Sequence, residues 1–274
     1  MAQTYALHQL RHQLEQMGIG PGSRLVVHSS LRAVGKLEQG AATLLRALLE
    51  TVTSTGLLMM PTFSYCYAGR PGAVPFDAAP TKSETGYLTE AFRQLPGVVR
   101  SNHPTHSVAV WGKDAHEIAQ QDPALPAFDA GTPLHRLAQL EGEILLIGVG
   151  HESNSSIHVA EFVARLPFLN LPNRVEYGNC GLLQGEGGSV VRLPYERLCG
   201  CSLNFPALEQ LEGFDQVGQK HYPLGDAECR LLPAKALLDF LVPRLQAQPG
   251  LLLCAAGFCP RCDKRRAMLE EASS

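Results

Sequence analysis

Long apolar runs and blocks of basic charge are both missing from this 274-residue chain. Its longest apolar stretches reach about ten residues, too few to span a bilayer, so we expect no membrane-embedded segment. The net charge is −3 and no lysine- or arginine-rich stripe is present, which argues against nucleic-acid binding. Internal repeats and low-complexity segments are also absent. We therefore expect an ordinary globular protein with a sizeable buried core.

A secretion signal is missing as well. The N-terminal stretch MAQTYALHQLRHQLEQMG has no apolar core of the kind that such a signal requires. We therefore expect a cytoplasmic protein, either a monomer or a homodimer. In that reducing compartment the eight cysteines stay as thiols or bind a metal rather than forming a disulfide framework.

Apolar periodicity predicts alternating strands and helices up to residue 166. Helices are predicted over 4–17, 40–54 and 86–95, and the apolar runs RLVVHSS, GLLMMPTF, HSVAVWG and EILLIGVG predict strands. These runs are continuously apolar, which is typical of strands covered on both faces. The pattern therefore predicts an α/β fold with a largely parallel sheet between helices. Two Pro-rich segments, 65–85 and 121–134, are predicted as long loops.

The pattern changes after residue 170. The stretch RVEYGNCGLLQGEGGSVVRLPYE predicts a β-hairpin with its turn at Gly185–Gly188. We treat 170–205 as a hairpin appendage, 231–246 as a helix and 250–274 as a cysteine-bearing tail. No linker separates these parts, so we expect one domain over 1–274.

Titratable residues are concentrated in the stretch GVGHESNSSIHVAE at 148–161, where a strand gives way to a helix. Ligands of α/β sheets bind beyond the carboxyl ends of the strands. His158 and Glu161 are three residues apart and share one helix face. They form either a functional pair or an ordinary surface pair near a helix cap.

Four stretches, in this order, resemble the aminoglycoside 3-N-acetyltransferase family. They are VVHSSLRAVG at 26–35, GLLMMPTFS at 56–64, HPTHSVAVWG at 103–112 and LLIGVGHESNSSIHVAE at 145–161. The resemblance covers roughly residues 5–205. It implies an α/β/α sandwich around a mixed sheet, and an enzyme that moves acetyl from acetyl-CoA to an amine of an aminoglycoside, with a role in antibiotic resistance.

The resemblance also implies site residues. His158 matches the catalytic histidine of the family. Two coenzyme-binding segments are implied after the first and third strands, with these residues: Ser29, Ser30, Leu31, Arg32, Val34, Gly35, His106, Ser107, Val108 and Ala109.

The chemistry of acetyl transfer to an amine requires a base, because an amine attacks a thioester only when it is neutral. An imidazole suits this task near neutral pH, and a carboxylate that orients it stabilises the imidazolium. Glu161 and Glu196 are the two candidates for that carboxylate. The oxyanion donor is left open among Thr105, Ser107 and the serines at 153–156.

The acceptor side departs from the family pattern. Family members commonly carry acidic residues in the loop after the second strand, but here SYCYAGRPGAVPFDAAPTK contains one acidic residue, Asp77. The acceptor is either an aminoglycoside or a different amine. Candidate acceptor contacts are Tyr65, Asp77, Asp129, His151 and Glu152.

The cysteines suggest a structural metal. Cys199 and Cys201 form a CxC pair and Cys259 and Cys262 a CxxC pair, which together supply four thiolates for a tetrahedral zinc. The alternative is four unligated thiols. Cys254 and the remaining cysteines are expected to be packing residues.

Two other classes of function are kept open. A zinc hydrolase would use His103, His106, His151 and Glu152, although no HExxH motif is present. A catalytically silent coenzyme-binding protein is the other alternative.

Overall fold

The computed structural model describes residues 3–170 and 178–272, in which strands and helices alternate through most of the chain. The strands are β1 (Thr4–Tyr5), β2 (Arg24–Ser29), β3 (Lys36–Leu37), β4 (Leu57–Pro61), β5 (Val99–Arg100), β6 (Val108–Gly112), β7 (Glu143–Ile147), β8 (Cys180–Gln184), β9 (Val190–Pro194), β10 (Lys220–Leu224) and β11 (Ala227–Pro233). The helices are α1 (Leu7–Gln16), α2 (Ala41–Val52), α3 (Tyr87–Arg93), α4 (Ala115–Ala119), α5 (Pro133–Gln139), α6 (Ser156–Val163), α7 (Ala234–Ala247) and α8 (Pro260–Ala272). None of the described helices is long and apolar enough to cross a membrane.

A mixed seven-stranded sheet forms the centre, with strand order β10-β11-β7-β2-β4-β6-β5. The pairs β2–β4 and β2–β7 are parallel, whereas the other four pairs are antiparallel. The parallel part is therefore smaller than the sequence pattern predicted. Continuously apolar strands indicate burial on both faces, and burial does not encode strand direction.

Helices cover both faces of the sheet, and the predicted α/β fold is confirmed. Alternate residues of each strand point to opposite faces. Leu25 and Val27 of β2 pack with α1, α2 and α3 on one face. Val26 packs with α4, α5, α6 and α7 on the other face. The two apolar clusters make an α/β/α sandwich.

The predicted hairpin is confirmed as β8 and β9, which pair antiparallel around the turn at Gly185–Gly188. The first part of the predicted hairpin segment, 174–177, lies outside the described residues. The hairpin extends the loop after β4, because Tyr67 bridges to Gly181 and Phe76 bridges to Leu183. The β8–β9 hairpin therefore lies on the same side of the sheet as that loop.

A second hairpin, β10–β11, was not predicted. It places β11 antiparallel beside β7, with Cys229 opposite Ile147. The predicted helix at 231–246 begins three residues late, at Ala234, because residues 231–233 complete β11. Apolar residues at the end of a strand and at the start of a helix gave one continuous signal there.

Buried histidines lie near the sheet. His28 is on β2 and is 6% exposed, and His103 precedes β6 and is 1% exposed. Burial lowers the pKa of His28 to about 3 and that of His103 to about 4. The Nε2 of His28 has no hydrogen-bond partner among the described residues, so nothing compensates a charge on it.

We predict that these histidines make stability depend on pH. Below about pH 6.5 the histidines of the unfolded chain become protonated, whereas the buried histidines of the folded protein stay neutral. The free energy of unfolding therefore decreases as the pH falls towards the folded pKa values. Between pH 7 and 5.5 each such histidine should cost about 1 kcal/mol of unfolding free energy. Urea denaturation at several pH values measures this. A His28→Asn variant that still unfolds cooperatively should show a flatter dependence, and a slope equal to that of the original chain would contradict the prediction.

Candidate active site

A cavity of about 620 Å³ opens at the edge of the sheet where β2 and β7 end. These strands are parallel neighbours with Ser29 opposite Ile147, so their carboxyl ends meet at one edge. The cavity is lined by the ends of several loops and by the start of α6. Its lining residues are Val27, His28, Ser29, Pro61, Phe63, Tyr65, Glu84, Thr85, Gly86, Thr89, His106, Phe128, Glu152, Ser153, Asn154, Ser155, His158, Cys199, Gly200, Cys201, Ser202, Leu203 and Arg261.

His158 and Glu161 form a hydrogen-bonded pair in the first turns of α6. The Nδ1 of His158 lies 2.6 Å from Glu161 Oε2, and both residues are buried. An ionised carboxylate only accepts hydrogen bonds, so Nδ1 carries the hydrogen and Nε2 keeps a lone pair. The ring packs against Phe128 and Phe205, at centroid distances of 5.2 and 4.9 Å. His158 is thus an oriented proton acceptor in the cavity wall.

Glu161, rather than Glu196, is the carboxylate beside His158. Glu196 is exposed and follows the buried Tyr195.

Only part of the implied coenzyme set lines the cavity. Ser29 and His106 do, whereas the segment Leu31–Val34 forms a 3-10 turn beside it, in which Arg32 is exposed and Val34 is fully buried. Ser30 precedes this turn and Gly35 ends it, with Gly35 at φ +87° against the Asp226 carboxylate.

The segment Ser107–Ala109 is buried in the sheet. The hydroxyl of Ser107 donates to the carbonyl of Thr62, while Val108 and Ala109 pair with β4. Their side chains therefore have no access to the cavity, in contrast to the expectation for this segment. Strand β6 begins two residues after His106, at Val108, and His106 is the member of this segment that lines the cavity.

The expected acceptor contacts divide in the same way. Tyr65 and Glu152 line the cavity, and the Gly150 N–H donates to Glu152 Oε1 over 2.9 Å. Asp77 is exposed and accepts a hydrogen bond from the amide of Ala79 within its own loop.

Asp129 and His151 are engaged elsewhere. Asp129 pairs with Arg197, and His151 is buried against Gln219, with Nε2 2.7 Å from the amide oxygen. Neither lines the cavity, so these two expectations are not supported by the geometry. Both partners are distant in the chain, and no local signal connects them.

Glu84 is a cavity residue that sequence reasoning missed. Arg70 holds its carboxylate bidentately, at 2.5 and 2.8 Å, and also donates to the carbonyls of Ser64 and Tyr65. Tyr65 has φ +47°, a left-handed conformation that is uncommon for a side chain of this size. The only available signal was the length of the loop, because Glu84 belongs to no recognisable pattern.

A second polar cluster lies beside His158. His106 Nδ1 is 2.8 Å from Thr105 Oγ1, and its Nε2 is 3.5 Å from Cys199 Sγ. Burial lowers the pKa of His106 well below its usual value and raises that of Cys199 to about 12. Both groups are therefore neutral at pH 7.

Four buried cysteines, Cys201, Cys254, Cys259 and Cys262, have sulfur atoms within 4.8 Å of one another. This set differs from the predicted one, since Cys254 replaces Cys199. The CxC spacing could not reveal this, because only tertiary packing places Cys199 against His106 and Cys201 in the cluster. Burial opposes ionisation of Cys259, but the amides of Cys262 and Arg261 outweigh it and lower the Cys259 pKa to about 7.

Sulfur distances within the cluster suit a tetrahedral ion. Cys201 Sγ lies 3.9 Å from Cys254 Sγ and 3.8 Å from Cys259 Sγ. Four thiolates at about 2.3 Å from a tetrahedral zinc are roughly 3.8 Å apart. Cys201 and Arg261 also line the cavity, so the cluster supports one of its walls.

Sequence comparisons place this architecture among known proteins. Residues 26–246 match the family model described as aminoglycoside 3-N-acetyltransferase. Aminoglycoside N(3)-acetyltransferase IV from a Salmonella species is 33% identical over 247 residues, which is 89% of each chain. The SPbeta prophage-derived aminoglycoside N(3')-acetyltransferase-like protein YokD of Bacillus subtilis (strain 168) is 28% identical, covering 84% of this chain and 89% of that protein.

Solved structures agree with the sequence comparisons. Aminoglycoside acetyltransferase AAC(3)-IVa, in a histidine-to-alanine mutant complexed with gentamicin, superposes with a TM-score of 0.86 at 29% identity. That alignment covers 97% of this chain and 98% of the other. The apoenzyme of AAC(3)-IVa gives 0.84 at 31% identity with the same coverage. This chain therefore belongs to the aminoglycoside 3-N-acetyltransferase family.

Proposed function

We propose that this protein transfers the acetyl group of acetyl-CoA to the 3-amino group of an aminoglycoside, with His158 as general base. The observation that carries the proposal is the His158–Glu161 pair in the wall of the cavity. Family membership supplies the reaction class, and the pair supplies the group that the reaction requires.

The proton path follows from the tautomer. An acceptor ammonium first loses one proton to solvent and so becomes a nucleophile. As its nitrogen attacks the thioester carbonyl, a C–N bond forms and His158 Nε2 accepts a second proton. Collapse of the tetrahedral intermediate breaks the C–S bond, and the departing CoA thiolate takes up the proton that His158 accepted, which returns the imidazole to its neutral form. No covalent enzyme intermediate is needed.

Glu161 stabilises the imidazolium that forms on His158. Its carboxylate already accepts the Nδ1 hydrogen at 2.6 Å, so the ring does not reorient when it becomes charged. The flanking Phe128 and Phe205 exclude water from the ring faces, which strengthens this electrostatic contact.

Serine hydroxyls and backbone amides at the start of α6 are the proposed oxyanion donors. Ser153 and Ser155 line the cavity, whereas Thr105 is committed to His106 and Ser107 to Thr62. The coenzyme is proposed to enter along the turn after β2, where Ser29 meets the cavity.

The acceptor is proposed to be a cationic amine, because Glu84 and Glu152 line the same cavity. Arg70 compensates the charge of Glu84, which lowers the net negative charge that a polycationic drug would meet. This observation favours a second candidate acceptor, an amine with fewer positive charges than an aminoglycoside. A thiol-release assay with acetyl-CoA across aminoglycosides and small amines distinguishes the two.

The geometry does not support the zinc hydrolase alternative. His103 is bound through Nε2 to the carbonyl of Leu125, and His151 lies outside the cavity. Among the described residues, the one group able to hold a metal consists of four cysteines, which would fill a tetrahedral shell and leave no position for a catalytic water.

We also propose that Cys201, Cys254, Cys259 and Cys262 bind one structural zinc. Their burial and mutual distances fit four thiolate ligands. Bound zinc would attach the C-terminal tail to the cavity wall, and its binding energy would contribute to folding.

We predict that His158→Ala lowers kcat by about 100- to 10,000-fold, the usual contribution of general acid–base catalysis. The Kd for acetyl-CoA should change little, because the imidazole acts on the acceptor amine. Steady-state kinetics and calorimetry measure the two quantities. The matched control is His116→Ala on α4, an exposed histidine that should leave kcat unchanged.

Glu161→Gln should lower kcat to a smaller extent, while Glu196→Gln should not lower it at all. Folded His158→Ala protein with near-normal turnover would refute the proposed base. Equal effects of the two glutamate variants would refute the assignment of Glu161.

For the metal, we predict about one zinc per chain in protein purified without chelator, measured by elemental analysis. Cys254→Ser should lose the zinc and unfold at lower temperature, because a ligand is removed. Cys199→Ser should keep it, since Cys199 faces His106 instead. Absence of zinc from the original protein, or its loss in Cys199→Ser, would contradict this assignment.

A further inference from the structure

Helix α8 carries a buried arginine that the proposed mechanism does not use. Arg265 is 1% exposed and is the largest fully buried side chain among the described residues. Arginine is seldom buried to this extent unless its charge is balanced. Its surroundings therefore bear on the electrostatics of the site.

Arg265 and Glu161 flank the same point of the backbone. A Cβ atom placed on Gly200 would lie 3.6 Å from Glu161 Oε1 and 3.8 Å from Arg265 Nε. The guanidinium carbon lies 5.9 Å from the ring centroid of Phe168, and Nη1 donates to the carbonyl of Arg261 over 3.3 Å. Arg265 Nε and Glu161 Oε1 therefore both lie within 4 Å of one point beside Gly200, a residue that has no side chain.

We propose that Arg265 is a positioning residue for the His158–Glu161 pair. Its positive charge keeps the pair negatively charged and correctly oriented. A buried carboxylate is costly unless a cation compensates it. A buried cation close to Glu161 supplies that compensation electrostatically. The inference rests on the proposed function, in which His158 is the base.

Other charged and titratable groups around the pair do not serve this purpose. His106 and Cys199 are neutral at pH 7 because of burial. Arg197 lies over the ring of Phe162 at 5.6 Å but pairs with Asp129.

Two further charged residues, Arg261 and Glu152, line the cavity on the side where substrate is proposed to bind.

The cysteine cluster holds Arg265 in place. Cys262 and Arg265 are three residues apart and lie on the same face of α8. Cys262 packs in the cluster with Cys201, which follows Gly200 directly. Attachment of the tail therefore sets the position of the guanidinium relative to Glu161.

The test is the pH dependence of kcat in Arg265→Met. Loss of the positive charge should favour protonation of the pair. The fall in kcat on the acid side of the pH profile, called the acid limb, should therefore occur at a pH that is higher by about one unit or more. At the pH optimum kcat should fall about 10- to 100-fold, the range seen when a group that orients a histidine is removed. Arg265→Lys, which keeps the charge, should restore the position of the acid limb but not all of kcat.

Arg266→Met is the matched control. Arg266 is the neighbouring residue of α8, and its Nη2 donates to the carbonyl of Cys254 rather than facing Glu161. This variant should leave the acid limb in place. The proposal would be overturned if the acid limb of folded Arg265→Met lay at the same pH as that of the original chain. It would also be overturned if Arg266→Met shifted the acid limb as much as Arg265→Met does.

A double variant keeps the proposal testable if Arg265→Met does not fold. Glu161→Gln removes the charge that Arg265 balances, so Glu161→Gln combined with Arg265→Met should recover a cooperative thermal transition. A double variant as unfolded as the single one would overturn the proposal.

His158→Ala in the same assays separates the role of His158 from the role of Arg265. Normal turnover of His158→Ala refutes the proposed base itself. An inactive His158→Ala together with an unshifted pH profile of Arg265→Met refutes only the role of Arg265.

Discussion

The parallel pairing of β2 with β7 is the constraint on which the site depends. It places Ser29 opposite Ile147, so the turn that leaves β2 and the turn that leads into α6 meet at one edge. His158 and the candidate coenzyme turn therefore face a common cavity although they are far apart in the chain. A shift of one residue in this register would turn both sets of side chains to opposite faces.

Charge around the cavity is arranged in two layers. Glu84 and Glu152 lie at the surface of the cavity, where a cationic acceptor would meet them. Glu161 lies behind, buried against His158, whose ring packs against Phe128 and Phe205. His28 and His106 also line the cavity, and both are neutral at pH 7 because burial lowers their pKa values. The negatively charged group in direct contact with His158 is therefore Glu161.

Stability and chemistry are linked through the segment 199–203. Cys199 contacts His106, Gly200 passes between Glu161 and Arg265, and Cys201 joins the cysteine cluster. The segment also lines the cavity. A change in the cluster would therefore affect the surroundings of the His158–Glu161 pair, since consecutive residues of one segment contact both.

The sequence by itself determined the parts of this protein that depend on neighbouring residues. Apolar periodicity gave the strands β2, β4, β6 and β7 and the main helices, and the three-residue spacing put His158 and Glu161 on one face of α6. Ordered motifs gave the family. Tertiary structure alone decided strand direction, the insertion of β11 beside β7, and the exchange of Cys199 for Cys254 in the cluster. It also brought Glu84 to the cavity, and Arg265 and Glu161 to the same point beside Gly200, because only the packing of separate elements determines which distant side chains meet.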